Sequence, residues 1–215
     1  MDNNTYLEYT LCEFSDELFS SAPAPGGGGA SALIGALAAS LSGMVCSLTS
    51  GKKTYAMYQE DISRIADKAS KLKQDLLNMI DEDAKGFLPL SKAYSLPKDT
   101  PEQKKRRDEV MQECLKTACQ TPVNIIKAAH EVSVINEELC AKGSRLAVSD
   151  AGCAAAAARA AATGAWLNVV INLNLIKDDE YVKYVNQNIK PIVDSTVMIC
   201  DRTYEEVLKI LKGEK

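Results

Sequence analysis

The chain has 215 residues, a formal net charge of −4, seven cysteines and a single histidine. That length accommodates one large domain or at most two, and an acidic balance with no lysine or arginine stripe argues against a nucleic-acid partner. Because His130 stands alone and no carboxylate run has calcium-loop spacing, neither a metal site nor a cofactor is expected.

The cysteines are scattered, odd in number and form no CxxC pair, which fits a reduced, cytoplasmic setting. Asp2, Glu8, Glu13, Asp16 and Glu17 precede the first apolar run, which is not the pattern of a secretory signal. The basic run Lys104-Lys105-Arg106-Arg107 is followed at once by Asp108 and Glu109 and reads as a solvated helical face.

In chain order, Thr10-Leu-Cys-Glu13 is a capping-box signature for a short helix ending near Ser20. Residues 23 to 31, Pro-Ala-Pro-Gly-Gly-Gly-Gly-Ala-Ser, open the longest uncharged stretch, Leu18 to Gly51. Four consecutive glycines are costly to order, and a protein accepts that cost where the backbone takes positive φ or must approach something closely. The pattern predicts a glycine loop feeding a helix from about Ala30 to Ser50. Its free N–H groups and dipole can receive an anion or a polar ligand atom.

Ala30 to Leu48 is long enough to span a membrane, yet Ala, Gly and Ser dominate it and no aromatic or basic flank marks an interface. It is read as a buried helix, and no membrane partner is expected. Gly35, Ala39 and Gly43, like Ala32, Ala36 and Ser40, recur every four residues and allow close helix approach.

A long amphipathic helix is predicted from Thr54 to about Leu96, kinked or interrupted at Pro89. Thr100-Pro101-Glu102-Gln103 starts another that reaches about Ala118, and Thr121-Pro122 restarts it toward Cys140. After a loop from Lys142 to Ser149, an alanine-rich helix runs from Asp150 to about Thr163. Gly164 pauses it before Trp166 to Ile176, where 168 to 175 is β-rich enough to be ambiguous. The last helix starts near Asp178 and ends near Leu211, with a kink at Pro191. The expected architecture is all-α: a single domain over residues 1–215, built of long kinked helices, two of them small-residue helices buried on every side.

Several catalytic plans are absent. Gly51-Lys52-Lys53-Thr54 lacks the upstream glycine and the contiguous Gly-Lys-Ser/Thr of a phosphate loop, and His130 has no nucleophile motif beside it. Carboxylates in unusual surroundings remain. Asp150 and Arg159 are the only charges between Leu146 and Ile176. Asp150 is either a helix cap or a partly desolvated acid tuned for proton transfer. Arg159 falls about 180° round the helix from it, placed for an interface or a ligand carboxylate. Asp83, in the cluster Asp81-Glu82-Asp83, is either solvated or at the edge of the buried face, with Phe87 one turn ahead. Asn168 and Asn172, one turn apart among apolar residues, need partners in backbone or ligand.

Pro23-x-Pro25-Gly-Gly-Gly, followed by a small-residue helix ending in Met44-Val45-x-x-Leu48-Thr49, resembles the cyclodeaminase/cyclohydrolase family of folate one-carbon enzymes. Asp83-x-x-x-Phe87, Pro97-Lys98 before a helix, Ser149-Asp150 before the alanine helix and Asn168-Val-x-Ile-Asn172 extend the match in order over essentially the whole chain. Two positions depart from it: Gly29 stands where the family usually has serine, and Gly86 where it usually has alanine.

The resemblance implies an all-α homodimer whose small-molecule substrate is a tetrahydrofolate derivative. The leading expectation is 5-formimidoyltetrahydrofolate cyclodeaminase, releasing ammonia and forming 5,10-methenyltetrahydrofolate. The alternative is 5,10-methenyltetrahydrofolate cyclohydrolase, forming 10-formyltetrahydrofolate; a distant third is a non-catalytic helical dimer. On this resemblance Asp83 and Asp150 are the candidate catalytic carboxylates. Lys52 is a candidate proton donor, and it or Lys53 could hold the glutamate tail. Pro25, Gly26, Gly27, Gly28 and Gly29 cradle a polar edge of the substrate, and Asn168 and Asn172 complete the binding set.

Overall fold

The computed structural model describes residues 5–214. Seven α-helices follow one another: α1 (Leu11–Phe19), α2 (Gly27–Thr49), α3 (Gln59–Tyr94), α4 (Pro101–Lys142), α5 (Val148–Leu173), α6 (Asp179–Asn188) and α7 (Lys190–Lys212). Short 3-10 turns cover Tyr6–Glu8, Lys53–Tyr58 and Arg145–Ala147, and the described residues contain no strand. The stretch 168 to 175 that sequence left ambiguous lies mostly inside α5.

Both capping boxes form as their sequences require. Thr10 pairs with Glu13 at the start of α1, and Thr100 with Gln103 at the start of α4, where Pro101 takes the first position. Each such cap contributes about 1 kcal/mol.

Three expected interruptions are absent. Helix α3 runs through Pro89, α4 through Pro122 and α5 through Gly164. An internal proline removes one ladder hydrogen bond and costs about 3 kcal/mol, but these helices are held by packing against their neighbours. Helix α5 packs against α2, α4 and α7, and α3 against α2 and α4. At the C-terminal end the opposite correction applies: the expected kink at Pro191 is a break. Helix α6 ends at Asn188, and Pro191 sits in the first turn of α7, where its missing N–H has no helical partner to lose.

Helix α5 is the centre of the molecule. Ala151, Ala154, Ala155, Ala158, Ala161, Ala162 and Ala165 are buried in it, and their small side chains let three helices approach a common axis. On α2, Ala32, Ala36, Gly35 and Ala39 face this core. A Cβ at Gly35 would lie 3.0 Å from Leu76 Cδ2 and 3.4 Å from Ala161 Cβ. Ser40 is exposed, and Gly43 has no neighbour within 4 Å, so the four-residue repeat is used only over its first half. Helices α2 and α5 each have a window apolar enough, by length and composition, to cross a membrane; about half of the α2 window is buried inside the fold.

The cysteines are all unpaired, with Cys46, Cys119, Cys140 and Cys200 buried as small hydrophobes.

Candidate functional site

A cleft of about 250 Å³ opens where the start of α2 meets the middle of α3 and α4 and the end of α5. Pro23, Ala24 and Gly26–Gly28 form one wall, Asp83 and Phe87 a second, Ala118 and Pro122 a third, and Asn168, Ile171 and Asn172 the fourth.

The glycine run is part of helix α2 rather than a loop before it. Gly26 is the N-cap, with φ −126° and ψ −157°, and Gly27 to Gly29 form the first turn, three residues earlier than the sequence predicts. None of these glycines has positive φ. Their smallness serves close approach instead. A Cβ on Gly28 would overlap the Asp83 carboxyl group, and one on Gly27 would lie 3.0 Å from Asn168 Nδ2. The two residues predicted to face ligand from α3 and α5 thus touch the α2 backbone itself.

Asp83 does for α2 what no α2 side chain does: the helix has no side-chain cap of its own, and the Gly29 N–H donates to the Asp83 carboxylate. Burial pushes the Asp83 pKa up to about 6, and the Gly29 hydrogen bond opposes that rise only in part. Among the described residues, no lysine, arginine or histidine lines the cleft. A half-buried carboxylate with no cationic side chain beside it on the cleft complements a positively charged or proton-donating ligand.

The asparagines are set by the helix that carries them. Asn168 Nδ2 donates to Gly164 O and Asn172 Nδ2 to Asn168 O, each at 2.9 Å. With the amide nitrogens engaged, the side-chain oxygens are left as acceptors on the cleft wall.

The other candidates lie elsewhere. Pro25 is buried behind the first turn of α2, with its Cβ 3.5 Å from where a Gly29 Cβ would be, so it shapes the wall from within. Gly29 is buried beside it. A Gly29 Cβ would make only ordinary contacts, so the serine usual in the family would fit.

Asp150 and Lys52 do not share the cleft within one chain. Asp150 is in the first turn of α5 and is not its cap, which is Ala147. It is eighteen residues before Asn168, about 27 Å along the helix axis at 1.5 Å per residue. Lys52 and Lys53 follow the far end of α2; Lys52 Nζ donates to Ser144 Oγ at 3.2 Å, and Lys53 is exposed. The resemblance grouped these residues with the glycines, but the 23 residues of α2 separate Lys52 and Lys53 from the glycine turn, and the length of α5 separates Asp150 from the asparagines.

Arg159, left open as an interface or ligand contact, pairs with Asp201 at 2.7 Å. His130 Nδ1 hydrogen-bonds Thr196 Oγ1 at 3.1 Å. Asp81 ties the N-terminal segment to α3 by accepting from Tyr6 N at 2.8 Å and from the Thr5 hydroxyl. Ala118, Pro122 and Ile171 are cleft residues that sequence reasoning missed. Of these only Pro122 carried a signal, a proline amid helical periodicity, which reads more naturally as a helix boundary.

Comparison with known proteins identifies the family. A model of the family described as formiminotransferase-cyclodeaminase matches residues 10–191. The chain is 37% identical over 198 residues to methenyltetrahydrofolate cyclohydrolase of Methylorubrum extorquens, covering 92% of this chain and 95% of that protein. It is 32% identical over 187 residues to formimidoyltransferase-cyclodeaminase of Sus scrofa, covering 87% of this chain but 35% of that larger protein. Among solved structures, formiminotetrahydrofolate cyclodeaminase of Thermotoga maritima superposes with a TM-score of 0.79 at 27% identity, covering 96% of this chain and 97% of the other. The chain belongs to the formiminotransferase-cyclodeaminase family.

Proposed function

We propose that the protein is a 5,10-methenyltetrahydrofolate cyclohydrolase, with the cleft around Asp83 as its active site. The observation that carries this reading is the half-buried Asp83 carboxylate as the only charged side chain among the described residues that line the cleft, because the methenyl substrate is a cation. The 37% identity to a cyclohydrolase over nearly the full length of both proteins supports the same choice.

In the proposed reaction Asp83 first stabilises the amidinium carbon between N5 and N10. Its carboxylate, ionised above about pH 6, accepts a proton from water as the water oxygen bonds to that carbon. The tetrahedral intermediate then collapses: the C–N5 bond breaks, N5 takes a proton from the Asp83 carboxyl group, and the carbon stays on N10 as a formyl group. Net, water is consumed and one proton is released. Positioned acid–base assistance of this kind is worth roughly 10²–10⁴ in rate. The Asn168 and Asn172 oxygens orient the attacking water, and the free N–H groups of Gly27 and Gly28 receive a polar edge of the pterin.

Cyclodeamination is the second reading, favoured by the solved Thermotoga maritima relative. It runs through the same tetrahedral carbon, with N10 attacking a formimidoyl carbon and ammonia leaving. Purified protein offered 5,10-methenyltetrahydrofolate and 5-formimidoyltetrahydrofolate separately distinguishes the two, by loss of the methenyl chromophore and by ammonia release. Inactivity on both refutes the assignment.

The proposal includes a homodimer. Leu37, Met44 and Leu48 of α2 and Leu167 and Ile171 of α5 are exposed, the last two at 69% and 65%, and Ile171 also lines the cleft. An apolar face of this kind marks an interaction surface.

A further inference from the structure

Pro122 does something for the cleft that its side chain alone does not explain. It lies inside α4, which continues without a break from Pro101 to Lys142. In such a helix the carbonyl four residues earlier receives the N–H of residue 122, and proline has none. The carbonyl so released is that of Ala118. Ala118 is buried at 7% exposure, and no side-chain donor among the described residues reaches its oxygen. Both Ala118 and Pro122 line the cleft, as the glycine turn and Asn172 do.

A buried backbone acceptor without its ladder donor is uncommon, since more than nine in ten buried backbone groups are paired. A second internal proline shows that the arrangement is positional. Pro89 releases the Lys85 carbonyl of α3 in the same way, but both residues are exposed, so water satisfies it.

We infer that the Ala118 carbonyl, freed by Pro122, is the hydrogen-bond acceptor for the donor edge of the bound pterin, its 2-amino and N3–H groups. This rests on the folate reading of the cleft. It assigns Pro122 a role in binding rather than in the chemical step, because the pterin donor edge is remote from the carbon between N5 and N10. The cleft then presents one face of each kind: backbone donors at Gly27 and Gly28, and a backbone acceptor at Ala118.

The test replaces the proline by residues that carry an N–H and so return the Ala118 carbonyl to the helix. Pro122→Val keeps most of the apolar bulk against ligand, and Pro122→Ala does not. Dissociation constants and KM are measured for 5,10-methenyltetrahydrofolate and for its analogue with the 2-amino group replaced by methyl. In wild type the analogue is expected to bind about tenfold more weakly, the effect of one good hydrogen bond. Both Pro122 variants are expected to bind the parent about tenfold more weakly, with kcat within about twofold, and to lose the distinction between parent and analogue. Pro89→Ala leaves all of these values unchanged.

A purely packing role predicts loss in Pro122→Ala but not in Pro122→Val. That result, or discrimination retained in Pro122→Val, overturns the inference while leaving the folate reading intact. Failure of wild type to bind the parent overturns both.

Discussion

Replacing Asp83 by asparagine is expected to abolish turnover and stabilise the protein at once. The carboxylate titrates at about 6 against 3.8 unperturbed because it is desolvated. The folded protein therefore holds this proton more tightly than the unfolded chain does. The ionised form opposes folding fully above about pH 6, and the penalty fades as pH falls from 6 toward 3.8. At roughly 1.4 kcal/mol per tenfold change in proton affinity, the penalty at neutral pH is about 3 kcal/mol. An asparagine keeps an acceptor for the Gly29 N–H but loses the charge that the α2 dipole favours, about 0.5–1 kcal/mol. The net gain is about 2 kcal/mol, which for a chain of this size raises Tm by about 4–8 °C. Melting curves by circular dichroism at pH 7.5 should show that rise, and curves at pH 4 should show it nearly gone. In parallel kcat should fall by roughly 10²–10⁴, and the wild-type rate should climb with pH through about 6. A variant that melts lower than wild type and turns over within threefold of it refutes the assignment of Asp83 as a desolvated catalytic carboxylate.

Other expectations follow from the same geometry. Gly28→Ala drives a Cβ into the Asp83 carboxyl group, so it should destabilise by about 1–3 kcal/mol and reduce kcat, whereas Gly26→Ala, with nothing within 4 Å, should leave kcat unchanged. Gly86→Ala, inside α3, places its Cβ 3.7 Å from Thr117 O of α4, an ordinary contact, and denaturant unfolding should show a gain of about 0.5–1 kcal/mol. Leu167→Glu should convert the proposed homodimer to monomer in sedimentation, while an unchanged dimer would place the interface elsewhere. Mixing Asp83→Asn and Asp150→Asn chains should restore roughly a quarter of wild-type activity if each site draws one carboxylate from each copy, the share of intact sites in randomly assorted two-fold dimers. No recovery would confine catalysis to one chain.

The helical content was legible because each helix has either a cap or a long apolar stripe, and Thr10, Thr100 and Asp178 all cap helices. Boundaries at Pro89, Pro122 and Gly164 were not, because local breakers were weighed without the neighbours that hold the helices on either side. Asp83, Gly27, Gly28, Asn168 and Asn172 were found through residue type in unusual surroundings, and the structure brings them together. Asp150 and Lys52 had comparable local signals, but their position depends on helix length and straightness, which carry them to the other end of the chain. Ala118 had no signal at all, since its contribution is a backbone carbonyl that depends on the residue four positions later.

The start of α2 has a consequence for how the molecule assembles and breathes. Three glycines give the first turn no reason of its own to be helical, each being about 1 kcal/mol less favourable there than alanine. Its stop comes instead from a carboxylate on another helix. The register of α2 is thus decided between elements, not within one, and its opening turn can close only after α3 has docked. That turn belongs to the last part of the fold to order and the first to fray. The glycine wall of the cleft is accordingly the one whose persistence depends on a single side chain from another helix.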